Sequence, residues 1–270
     1  MKLLVLIIIV IGIVLFFYLR RKNLVPAKKH INSPRVAFDK ASKNEVVIRQ
    51  EKFDTDFERS DRKKGRYLVF DTETTGLPVE RDARPEDYDN WPYVVQIAWY
   101  LFDDEGKLIE DKEYILKQDI KIPADATSIH GIDNNTMLQK GVDPKFFYSQ
   151  FIEVLGRTKF LIAHNIAFDK PIMECELLRN GFDNKLRNVD TICTMKKGIN
   201  FCKLEGYYGG YKYPKLIELF QKCFYPDAPS VSIACAIKGD GSYSESKVDI
   251  DVTMTAKCFF KLKELNIVTD

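Results

Sequence analysis

Histidine is scarce in this chain, with three residues in 270 (His30, His130 and His164), and none of the six cysteines stands in a C-x-x-C pair. Zinc sites are built from closely spaced Cys and His ligands, so the composition argues against one. Cys175, Cys193, Cys202, Cys223, Cys235 and Cys258 show no framework spacing, and several lie within apolar runs; they read as reduced thiols of a cytosolic domain. Internal repeats and low-complexity tracts are absent, which excludes solenoid and fibrous architectures. A broad positive field over the larger part of the chain is missing too. Residues 20–66 hold 15 Lys/Arg against 7 Asp/Glu, a balance of +8, which with Lys2 leaves −7 for residues 67–270 out of the net +2. If the acidic part binds nucleic acid, it does so through metal ions and local contacts; the basic part can lie along anionic lipid or act as a solvated tether.

What is present begins with residues 3–19, LLVLIIIVIGIVLFFYL, which lack any charge, have Gly12 as a breaker, and are followed at once by Arg20, Arg21 and Lys22. About 17 apolar residues is the short end of what spans a bilayer. The competing reading is a cleaved signal peptide. Lys2 as the whole charged n-region and the lack of a small-x-small cleavage site favour an uncleaved single-pass membrane anchor over 1–19. The heavier positive charge after the span then places the rest in the cytoplasm. Pro26, Pro34 and the absence of sustained periodicity mark 20–65 as a basic linker, leaving 66–270 as the folded domain; that length suffices for a full core.

The domain opens on Tyr67-Leu-Val-Phe-Asp-Thr-Glu-Thr-Thr-Gly-Leu77, an apolar run that predicts a buried strand, then two acids one residue apart, then a glycine turn. Alternation along a strand points Asp71 and Glu73 the same way and Thr72 the other. Paired carboxylates at a strand end are often only solvated. Here the preceding run looks buried, and burying two adjacent carboxylates is costly unless cations offset them, which suits Mg²⁺ or Mn²⁺.

Further along, the pattern predicts strands over 93–102, 113–116, 159–163 and 189–193, with a hairpin turn at 103–106. Helices are expected over 123–132, ended by Gly131; from an Asp133 cap to 138; over 144–155 with Pro144 first; over 171–180; from Pro214 onward; and over 249–265, which puts Asp251 in the first turn. Residues 207–213 form a glycine–aromatic loop, and Asp169 lies at a strand-to-helix transition.

Phe70-Asp-Thr-Glu-Thr-Thr-Gly-Leu77, His164-Asn-Ile-Ala-Phe-Asp169 and Asp251-Val-Thr-Met-Thr-Ala-Lys-Cys-Phe259 resemble, in order, the three motifs of the DEDD (DnaQ-like) 3′–5′ exonuclease superfamily. Ile129-His-Gly-Ile132 and Lys212-Tyr-Pro-Lys-Leu216 resemble connecting segments of its bacterial members. The resemblance implies a ribonuclease H-like α/β fold with a mixed sheet flanked by helices. It further implies a cradle of Asp71, Glu73, Asp169 and Asp251 for two divalent ions, Mg²⁺ or Mn²⁺, and a DNA or RNA 3′ end held by Thr74 to Leu77. Leu77 is then an apolar surface for the terminal base, or else ordinary core. His164 is expected to shape its turn and His130 to belong to a helix end; both roles are structural.

One departure stands out. The superfamily's histidine branch has its general base five residues before the last Asp, and its tyrosine branch has Tyr four before; here those positions hold Ser246 and Lys247. A serine hydroxyl is too weakly basic at neutral pH to replace imidazole, and losing such a base costs about 10²–10⁴ in rate. Glu245 or Tyr243 could substitute, or bulk solvent could accept the proton. Two functions follow: a 3′–5′ exonuclease of reduced activity, or a catalytically inactive nucleic-acid or nucleotide binding module that retains its metal site.

Overall fold

The computed structural model describes residues 65–227 and 246–269. The apolar run at 67–70 does form the central strand, β1 (Tyr67–Thr74), buried on both faces. β2 (Val94–Phe102) pairs antiparallel with β1, and β3 (Leu108–Ile115) antiparallel with β2. On its other edge β1 pairs parallel with β4 (Phe160–Ala163), which pairs parallel with β5 (Asp190–Cys193), giving the order β3-β2-β1-β4-β5. This mixed sheet flanked by helices is the ribonuclease H-like arrangement expected. β3 starts five residues earlier than its apolar pattern suggests. It is the edge strand, and Glu110, Asp111, Lys112 and Glu113 line it, a charged edge that discourages further pairing and hides the period-two signal.

Two short helices, α1 (Ala124–His130) and α2 (Asn134–Lys140), are bounded as their caps foretell. Gly131 takes the left-handed conformation at φ 79° that ends α1, and Asp133 Oδ1 accepts the Thr136 N–H at 2.7 Å to start α2. α3 (Pro144–Leu155) has Asp143 as N-cap and Pro144 in its first turn. α3 and α4 (Ile166–Arg179) cover one face of the sheet, where Leu68 and Phe70 pack with Trp99, Phe147 and Phe151. α6 (Leu216–Phe224) and α7 (Lys247–Glu264) cover the other, where Tyr67 and Val69 meet Leu219, Val252 and Phe259. α5 (Thr194–Cys202) follows β5 directly.

Several boundaries differ from expectation. α4 begins at Ile166, not at Pro171, because Asn165 turns the chain through φ 74° immediately after β4, a left-handed conformation that Asn tolerates. Pro171 therefore sits inside the helix; its missing donor falls opposite the carbonyl of Ala167, an exposed residue that water can satisfy. α6 begins at Leu216, two residues past Pro214. α7 begins at Lys247, since Ser246 Oγ caps it by accepting the Asp249 N–H at 3.3 Å; Asp249 occupies the first turn and Asp251 the second.

A buried polar network secures the loop between β1 and β2. Glu176 on α4 pairs with Arg179 at 2.6 Å and accepts from Tyr148 Oη at 2.7 Å and Gln118 Nε2 at 2.8 Å. Arg179 also donates to the backbone carbonyls of Tyr88, Trp91 and Pro92. Cys175, Cys193, Cys202, Cys223 and Cys258 are buried free thiols; Cys235 lies outside the described residues. Among the described residues no helix is long and apolar enough to cross a membrane, and the segments 1–19 and 20–64 lie outside them.

Candidate metal and nucleic-acid site

β1 leaves the core with its two faces committed to different helices. Val69 packs on the α7 side and Phe70 on the α4 side, so alternation carries Asp71 and Glu73 toward α7 and Thr72 toward α4. On the first side, carboxylate oxygens of Asp71, Glu73 and Asp251 gather within 4.8 Å of one another. On the second, the Thr72 hydroxyl donates to Asp169 Oδ1 at 2.8 Å, fixing a fourth carboxylate that α4 brings round the strand end. Three of the four acids expected to converge, Asp71, Glu73 and Asp251, gather on the α7 side; Asp169 lies outside that group, held by Thr72 from the α4 side and near enough for its charge to act on Asp71.

Their electrostatics show charge in excess. Burial pushes the Asp71 carboxyl well above its ordinary pKa, with the charges of Asp169, Asp251 and Glu73 adding to the effect. Asp169 is pushed up to about 7, by burial first, against the opposing hydrogen bond from Thr72. Glu73 is raised by burial and partly relieved by Lys247. Among the described residues, Lys247 is the cation in salt-bridge contact with the group, its Nζ 2.5 Å from Glu73 Oε1 and 2.9 Å from Asp251 Oδ2. One ammonium against four hard oxygen donors leaves a deficit that divalent cations fit. Although burial pulls the Lys247 ammonium down, the Asp251 charge and its two hydrogen bonds raise its pKa above the ordinary value, so it is not a proton acceptor in this state.

Ser246 stands at the start of α7, and its hydroxyl is the helix cap. The neighbouring acid Asp249 turns away to β2, where it accepts from Tyr100 Oη at 2.7 Å; Asp251 is therefore the residue of α7 that joins the cluster. Glu245 and Tyr243 lie outside the described residues.

Beside the carboxylates opens a cleft of about 480 Å³, lined by Glu73, Thr74, Leu77, Ile129, His130 and Phe168 among others. Leu77 is 79% exposed and Ile129 68% exposed, so Leu77 belongs to the cleft and not to the core. The Thr74 hydroxyl donates to Gly76 O at 2.7 Å and shapes the turn above it. Both histidines are tied down. His164 reaches Thr194 Oγ1 at 3.0 Å and Pro214 O at 3.1 Å, and His130 Nδ1 accepts the Ile132 N–H at 3.1 Å. Burial lowers both imidazole pKa values, with the nearby Lys247 charge adding to the effect at His130.

Lys247, Thr72, Ile129 and Phe168 were not singled out as site residues by their sequence. A signal existed for Lys247, because its i,i+4 spacing to Asp251 puts the two on one helix face. The others depend on chain crossings that no local pattern encodes.

A ribonuclease H-like sheet whose central strand ends in converging acids defines a DEDD-type nuclease domain. Residues 68–223 match the profile of the family described as Exonuclease (RNase_T), more than half of the chain, and the chain belongs to that family. Exonuclease domains of this kind use divalent metals. Over 113 residues the chain is 31% identical to the DNA polymerase III subunit epsilon of Treponema pallidum (strain Nichols), a match covering 41% of this chain and 46% of that protein. It thus spans about half the length of this curated relative. Solved structures of similar fold include a product-bound exonuclease I (TM-score 0.52, 17% identity, 74% of this chain and 44% of that one). E. coli exonuclease I in complex with a 5cy-dT13 oligonucleotide is similar too (TM-score 0.51, 17% identity, 74% of this chain and 40% of that one).

Proposed function

We propose that this protein is a 3′–5′ exonuclease that hydrolyses phosphodiester bonds at nucleic-acid 3′ ends, with Asp71, Glu73, Asp169 and Asp251 holding two divalent ions, Mg²⁺ or Mn²⁺. The observation that carries the reading is the gathering of Asp71, Glu73 and Asp251, matched by one lysine and with Asp169 held nearby by Thr72, beside a cleft with an apolar rim that Glu73 lines. Divalent ions held there by these carboxylates would supply an activated water and stabilise the leaving 3′-oxygen. The chain's own residues do the rest. Thr72 orients Asp169, the turn at Thr74 to Gly76 sets the cleft floor, and exposed Leu77 and Ile129 offer surfaces against which a terminal base can pack. A single-stranded DNA end is the substrate to test first, given the oligonucleotide-bound exonuclease I structures of similar fold.

Ser246 takes the position of the missing general base, and a serine hydroxyl is too weakly basic at neutral pH to replace imidazole. The reading therefore includes a low rate. A 5′-labelled single strand incubated with the protein and Mn²⁺ should yield a ladder shortening from the 3′ end, abolished in Asp71→Asn and by chelation. Ser246→His should raise that rate, by up to about 10²–10⁴ if the imidazole acts as a base. Immediate release of the 5′ label would overturn the direction. Absence of cleavage by the wild type, with cleavage gained in Ser246→His, would favour the binding-module reading.

We propose also that residues 1–19 anchor the protein in a membrane, with the basic linker 20–65 and the domain on the cytoplasmic side. The uncharged run at 3–19 and the Arg20-Arg-Lys22 cluster support this. Recovery of the full chain in the soluble fraction without detergent would count against it.

A further inference from the structure

Glu73 and Asp251 are two of the three carboxylates that gather within 4.8 Å, and the same two hold the Lys247 ammonium at 2.5 and 2.9 Å. Mg²⁺ or Mn²⁺ seated among Asp71, Glu73 and Asp251 would take their oxygens at about 2.0–2.1 Å. It would then compete with the ammonium for the same lone pairs and stand within a few ångströms of a like charge in a partly buried site. The lysine has room to leave. Its side chain is 45% exposed, and its four-carbon stem can swing the charge into water while the backbone stays on α7. It is also bound to come back, since the i,i+4 relation holds Lys247 beside Asp251 on one helix face.

We propose that Lys247 is a built-in competitor for the divalent ion: its ammonium neutralises Glu73 and Asp251 in the metal-free protein and must be expelled before an ion can seat on Asp71, Glu73 and Asp251. This rests on the metal reading above and adds a regulatory property to it. Glu73 and Asp251 share one ammonium without metal, the affinity for the ion is set lower than the carboxylates alone would give, and the site responds to the concentration of divalent cation.

The test reads binding, not turnover. In titration calorimetry with Mn²⁺ on the full chain in detergent micelles, Lys247→Met should bind about tenfold tighter or better than the wild type, an effect of the size that groups surrounding metal ligands exert. In the wild type, modification of Lys247 by an amine-acylating reagent, read by mass spectrometry, should increase when Mn²⁺ is added. This second measurement stands alone if Lys247→Met does not fold. Equal or weaker Mn²⁺ binding by Lys247→Met, or Lys247 labelling that stays constant or falls with Mn²⁺, overturns the competition while leaving the metal site in place. Failure of the wild type and Lys247→Met alike to bind Mn²⁺, with Asp71→Asn no different, overturns the metal reading and this inference with it.

Discussion

The two layers that deliver carboxylates to the end of β1 are built on different physics. On the α3–α4 side, Trp99, Phe147 and Phe151 interleave with ring centroids 5.7–6.0 Å apart, and the pair of buried Glu176 with partly buried Arg179 ties the layer to the loop over the strand ends. On the α7 side, the apolar contact of Val252 and Phe259 is supplemented near the site by polar ties: Ser246 to Asp249, Asp249 to Tyr100, and Lys247 to Glu73 and Asp251. Asp169 is thus set on a rigid support, while the position of Asp251 depends on half-exposed hydrogen bonds and ion pairs. Damage on the first side should be felt as lost stability and on the second as lost function.

Five substitutions sharpen or break that contrast. The largest effect belongs to the shared site. Asp169→Asn and Asp251→Asn should each lower Mn²⁺-dependent cleavage by more than about 100-fold, the upper end of what groups outside the metal ligands cost. Asp169→Asn should at the same time stabilise the metal-free protein. Its carboxyl is raised from the ordinary 3.8 to about 7, so its contribution is fully present below the unfolded pKa and is lost as pH rises through about 7. A thermal scan in chelator should show the wild-type melting temperature falling between pH 4 and pH 8, with a shallower fall in the variant; identical profiles would break the argument. Next comes Arg179→Met, which leaves Glu176 buried and unpaired and should cost about 3–5 kcal/mol in denaturant unfolding. Tyr100→Phe removes the hydroxyl that holds Asp249 and Thr253 and should cost only about 1–2 kcal/mol, yet reduce cleavage more than Arg179→Met does in the protein that remains folded. The smallest is Ser246→Ala, about 1 kcal/mol for a lost cap, visible as faster amide exchange confined to the first turn of α7. If Arg179→Met and Tyr100→Phe show the same ratio of stability to activity loss, the two layers do not differ as described.

Much of the site was legible because its signals are local. Alternation on β1 set Asp71 and Glu73 on one face, Pro144 and Asp133 marked helix starts, and Gly131 marked a helix end. What escaped depends on contacts between distant segments. α5 was missed because Lys196, Lys197 and Gly198 break its apolar period. The glycine allows a close approach, since a Cβ there would lie 3.0 Å from Leu219 Cδ1 and 3.2 Å from the Pro214 ring. α7 starts two residues before its apolar pattern indicates because Ser246 caps it, and a serine three residues before an acid is itself a helix-start signal. The Thr72–Asp169 hydrogen bond spans 97 positions, and no pattern in either segment announces it.

The register of the four acids along the chain also dictates a calendar. Asp71 and Glu73 emerge first during synthesis and Asp169 follows, while Asp251 arrives only with the last described helix. A growing polypeptide that already has all five strands of the described residues still lacks one wall of the carboxylate group. Until α7 docks, Asp71 and Glu73 have neither Asp251 beside them nor the Lys247 ammonium that pairs with Glu73.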